Sequence, residues 1–257
     1  MKHKKLLLLL FLFVYTLTGF AQRAAYLQAD GQNVAINNLL MHDSLGGGKI
    51  HYSVSFAIPV NNDPAFVAVL NSLQKMTGNF SVFFTRNGAV FTERQYRGAT
   101  VTQVQLSKLD ASAKTPVRLE VKFSTTQVTE QANASFNQPL KKFTPSISNS
   151  FSIALGNLPA SRIAVMGPID FKPNALVSLE IAGVDMDAWR KQFSSVGKKL
   201  NGNLLMLAPN LADKLQQFTL NNVELVSITQ SVDANSERIE RFMVQVRIES
   251  VSLTPTK

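Results

Sequence analysis

The sequence contains no cysteine, so disulfides, thiolate metal sites, a cysteine nucleophile and a lipid-bearing cysteine after a leader are all excluded. Histidine is nearly as scarce. Beyond His3 only His42 and His51 occur, without a His-Glu-x-x-His pair or a nucleophile-elbow motif, so the usual zinc and acyl-transfer constellations are missing. Runs of five or six like charges are absent, and the basic residues do not interleave with exposed aromatics as a nucleic-acid groove requires. After the first 21 residues there is also no apolar stretch near the roughly 20 residues needed to span a bilayer.

What is present begins with an address. Lys2, Lys4 and Lys5 precede an unbroken apolar run from Leu6 to Tyr15, and small and polar residues follow up to Ala21. This is the pattern of a secretory signal peptide over residues 1–21, with cleavage expected after Ala21 and a periplasmic or extracellular product. Without those three lysines the formal net charge falls from +9 to +6, a mildly basic, solvated surface.

Self-similarity decides the domain organisation. The segment from Asn62 to Val128 matches that from Asp185 to Val251 in pattern. Each copy opens on an alternating strand, Tyr52 to Ile58 or Leu176 to Ile181, with Phe56 aligned to Leu179 and Ile58 to Ile181. A capped helix follows. Asp63 before Pro64 marks its start in the first copy and Asp185 or Asp187 in the second. Phe66, Val69, Leu70 and Leu73 then recur at helical spacing, as do Trp189, Phe193, Val196 and Leu200. Gly78 and Gly202 are expected to end the two helices as left-handed caps.

Buried strands are expected at Phe80 to Phe84 and Leu204 to Leu207. Two long strands with period-two alternation come next in each copy, Ala99 to Leu106 and a closing strand with Leu119, Val121 and Phe123, or Asn222 to Ile228 and a closing strand with Phe242, Val244, Val246 and Ile248. The expected fold is mainly β, of α+β type: two tandem antiparallel sheet or small-barrel modules, each with one packed helix, over residues 22–128 and 151–257. Residues 129–150, rich in Asn, Gln, Ser, Thr and Pro, are expected to be a linker or arm, with Phe136, Leu140 and Phe143 able to dock it.

This order of elements, with the segment Phe218-Thr219-Leu220-Asn221-Asn222-Val223-Glu224-Leu225 leading into the closing hairpin, resembles the tail-tube family, which includes contractile-phage tail tubes and the Hcp tube protein of type VI secretion. The resemblance implies β-barrel modules that stack in hexameric rings, so that two modules per chain would let a trimer form a six-module ring. The chain departs from that family in carrying a signal peptide and in having two modules rather than one.

No catalytic, cofactor-binding or metal residues are assigned. Gly46-Gly47-Gly48-Lys49 resembles a phosphate loop only in its glycines, lacks the Walker spacing, and reads as a hairpin or inter-subunit loop. The paired carboxylates Asp185 with Asp187 and Glu237 with Glu240 are explained by helix capping and by a mixed-charge turn with Arg238 and Arg241. Arg86-Asn87-Gly88 is a turn signal. Two functional expectations follow. One is an exported, non-enzymatic assembly protein that associates with itself or another protein. The other is a monomeric module for a glycan or cell-surface partner, using Tyr26, Tyr52, Phe91 and Tyr96 as aromatic contacts.

Overall fold

A computed structural model describes residues 23–86, 89–132, 144–160, 163–195, 197–231 and 240–254; residues 1–21, expected as a signal peptide, and Phe136, Leu140 and Phe143 lie outside it. The protein is mainly β, with two antiparallel sheets and two short helices among the described residues.

The first half forms strands β1 (Arg23–Ala29), β2 (Gln32–Gly46) and β3 (Lys49–Pro59), helix α1 (Pro64–Gln74), then β4 (Thr77–Arg86), β5 (Ala89–Leu106), β6 (Leu109–Asp110), β7 (Arg118–Thr125) and β8 (Gln127–Ala132). Five neighbouring pairs run β5-β4-β1-β2-β3-β7, and β7 pairs again with β5, so six strands close into a ring. β8 continues β7 along the same edge of β5.

The second half forms β9 (Phe151–Leu155), β10 (Ile163–Met166), β11 (Ile169–Asp170), β12 (Ala175–Ala182), a 3₁₀ turn at Gly183–Asp185, helix α2 (Met186–Gln192), β13 (Lys199–Leu207), β14 (Lys214–Ser231) and β15 (Arg241–Thr254). Its sheet has the order β6-β10-β12-β15-β14-β13-β9. Matching β12 to β3, β15 to β7, β14 to β5 and β13 to β4 gives one strand order for both halves. β1 and β2 pair in the first, whereas β9 and β10 do not pair in the second, so the second ring is open.

Local chemistry explains the helix starts and corrects their ends. Asp63 accepts a hydrogen bond from the Ala65 amide at 3.0 Å, with Pro64 at the first helical position, and Phe66, Val69, Leu70 and Leu73 are fully buried on the ring. The left-handed residue after α1 is Met76 (φ 62), not Gly78. Gly78 and Gly202 lie inside β4 and β13, where both ladders slip register, at Gly78/Phe80 and at Leu200/Gly202. A side chain at Gly202 would collide with the Ala154 carbonyl and the Leu155 side chain, so this glycine permits close strand approach rather than ending a helix. α2 is also shorter than its apolar spacing suggests: Phe193 caps it, Leu200 belongs to β13, and Val196 lies outside the described residues. Asp185 makes no side-chain cap bond there.

The two halves are joined by exchange. β6, from the first half, pairs with β10, and β11, from the second, pairs with β5. The linker expected over 129–150 gives way at both ends: 129–132 belong to β8, and 144–150 thread the seam. Ser146, Ser148 and Ser150 are buried, and their backbones bond to Val60, Val117, Thr115, Asp110 and Leu207 at 2.8–3.1 Å. Serine side chains are small enough for so tight a passage, and main-chain bonding rather than apolar area orders the segment. Near it the Asp110 carboxyl is lowered to about 2, chiefly by the Ser112 hydroxyl and then by Lys108. One continuous buried core runs through both halves, with Phe171 edge-on to Phe218 at 5.8 Å.

Candidate assembly surface

Beyond the ring, β2 and β3 run on as a two-stranded ribbon in which residues 41–51 are all exposed. Its turn is Gly47-Gly48, with φ of 57° and 74°, closing the Gly46–Lys49 pair. Two consecutive left-handed residues match the twist of a two-residue hairpin, so the glycine run serves a tight turn and no phosphate loop. Leu40, Leu45 and Ile50 expose 70%, 80% and 47% of their surface. That is more apolar exposure than a two-stranded ribbon, marginal in water by itself, would be expected to carry unpartnered.

Met41 is the ribbon's contact with the rest of the molecule. Its Sδ accepts from the Tyr96 hydroxyl at 3.4 Å and lies 3.5 Å from the Arg94 guanidinium, which is paired with Glu130 at 2.8 Å. Tyr96 itself is buried edge-on to Phe123 at 5.2 Å, and burial raises its phenol above the ordinary value. β3 pairs with β7 only as far as Tyr52 and Thr125. Beyond that point β8 and the ribbon part, leaving a shallow depression of about 280 Å³ lined by His51, Arg97, Thr125 and Gln127 among others.

The two histidines are closer in structure than in sequence. His42 pairs with Ser53 and His51 with Ser44, so both stand on one face of the ribbon. No cluster of three or more His, Asp or Glu side chains suited to a metal ion occurs among the described residues. Of the carboxylates, Asp185 is buried at the start of α2, Asp187 points to solvent 3.7 Å from Arg190, Glu240 accepts from Gln230 at 2.6 Å, and Glu237 lies outside the described residues. Trp189 is a core residue whose indole donates to the Pro159 carbonyl at 3.2 Å.

The proposed aromatic contacts do not converge. Tyr96 is buried, Tyr26 and Tyr52 are half-buried, and Phe91 is exposed beside Phe84. Tyr26 also lies within a paired strand, opposite Ala35 and Phe83, where the sequence left it outside one. The second sheet carries ion pairs Arg241–Glu180, Arg247–Glu224 and Lys199–Glu249 at 2.9–3.2 Å. No helix among the described residues is long and apolar enough to cross a membrane. No protein-family model matches the chain, and no curated protein is similar to it in sequence.

Proposed function

We propose that this is an exported, non-enzymatic structural protein that works by assembling with copies of itself, as the tail-tube resemblance implies. The observation that carries the reading is the β2–β3 ribbon, an extension of the ring on which Leu40, Leu45 and Ile50 are left exposed among the described residues. The glycan-binding alternative needs exposed aromatics gathered in a concavity, and Phe91 stands alone among its candidates in being well exposed.

Light scattering of the chain from residue 22, over a wide range of concentration, tests the proposal. A stable trimer or larger closed species is the expected result. A monomer at every concentration overturns it.

A further inference from the structure

The depression between β7, β8 and the root of the ribbon has a lining of one charge sign. His51 and Arg97 are its ionisable side chains, and no Asp or Glu stands among the described residues that line it. A larger cleft of about 470 Å³, at Gln105 and Arg118, is balanced instead: Glu120 lines it, and its Lys108 is paired with Asp110 at 3.0 Å.

The depression exists because two strands break step together. β5 pairs with β8 up to Arg97 opposite Gln127, and with β7 from Thr100 opposite Ser124, so residues 98–99 and 125–126 lie between the two ladders. Gly98 turns there with a φ of 54°. The break is also held in place. The buried Thr125 hydroxyl donates to the Arg97 carbonyl at 2.6 Å and accepts from the Gln127 amide at 3.1 Å, and the Gly98 amide donates to the Asn79 side chain at 2.9 Å. Interruptions of this kind re-aim side chains, commonly beside binding sites. Arginines elsewhere have carboxylate partners, as in Arg94–Glu130, Arg241–Glu180 and Arg247–Glu224. The Arg97 guanidinium and the Thr100, Ser124 and Thr126 hydroxyls, by contrast, have no hydrogen-bond or ion-pair partner among the described residues.

We propose that this depression binds a phosphate group. A guanidinium fork matches phosphate oxygens, hydroxyls donate to them and accept from a protonated one, and the His51 imidazole donates through at least one ring nitrogen. At about 280 Å³ the depression is smaller than the roughly 300–1,000 Å³ sites that take drug-sized molecules, so it suits one such group. A free phosphate ion and a phosphate ester carried on a larger molecule share this chemistry. Binding here does not depend on self-assembly.

Isothermal titration calorimetry of the chain from residue 22, in a buffer without phosphate and at constant ionic strength, distinguishes the two sources with inorganic phosphate and methyl phosphate. Saturable binding of at least one, at one site per chain, is the expected result. Equal affinity for methyl phosphate supports a carried group, and preference for inorganic phosphate supports the free ion. Arg97→Ala should weaken binding about tenfold with unchanged circular dichroism, its side chain being exposed, and Arg118→Ala, in the larger cleft, should leave binding unchanged. Thr126→Ala, which spares the buried Thr125, should weaken it about two- to tenfold. No saturable heat with either ligand, or binding that both Arg97→Ala and Thr126→Ala leave intact, overturns the site.

Discussion

Ser146 and Ser148 sit two residues apart in the seam, equally buried, and differ in what their hydroxyls do. Ser148 donates to the Ala113 carbonyl at 2.7 Å and accepts from the Thr115 amide at 3.2 Å, whereas the Ser146 hydroxyl has no partner among the described residues. Removing a hydroxyl that satisfies buried main-chain groups strands them, at about 1–3 kcal/mol, while removing an unsatisfied one costs nothing. Ser148→Ala should therefore lower stability by that amount in chemical denaturation, and Ser146→Ala should leave it unchanged or raise it slightly. Equal losses in both would mean that seam packing, not hydrogen bonding, holds the segment. None of this was legible in the sequence, because a serine-rich stretch reads as too polar to order. Composition registers apolar area and is blind to main-chain bonds supplied by distant strands.

At the level of elements the sequence was more informative. The alternation at Leu119, Val121 and Phe123 marked the core face of β7, which lies against Val101, Val104 and Leu106 of β5 across a bulge, and Asp63-Pro64 placed the start of α1. β1 and β2 escaped notice although their signal was present, an Asp30-Gly31 turn with φ of 47° and 75° between Leu27 and Val34. The glycines misled because a glycine after an apolar helical run has two physical uses, a cap or a bulge. Gly202 and Gly78 give these bulges unequal stakes. A methyl group at Gly202 meets the Ala154 main chain, whereas at Gly78 it meets the edge of the Phe80 ring, which can shift. Gly202→Ala is expected to cost about 1–3 kcal/mol in thermal or denaturant unfolding, and Gly78→Ala distinctly less. The reverse order would show that the strand pair at β9 and β13 is slack.

Across the whole molecule, a boundary near residues 129–150 predicts two independent bodies, and the exchange of β6 and β11 argues against that. Each half supplies a strand to the other's sheet, Gln216 donates to the Asn61 carbonyl at 2.7 Å, and Gln74 to that of Val251 at 3.1 Å. Calorimetry of the chain from residue 22 should give one transition, with calorimetric and van't Hoff enthalpies in agreement. Two resolved transitions would mean that the halves unfold separately despite the exchange. A duplicated pattern in sequence marks repeated architecture, and it does not say whether the repeats are thermodynamically separate, because two-residue strands such as β6 and β11 leave almost no periodicity to read.

The exchanged strands also impose an order in time. The Gln105–Leu106 end of β5 finds its β11 partner only when residues 169 and 170 have been synthesised, and β6 must wait for Val165 and Met166 of β10. The amino-terminal half of a growing polypeptide must therefore remain incomplete until residue 170 has emerged, well after its own last strand has been made.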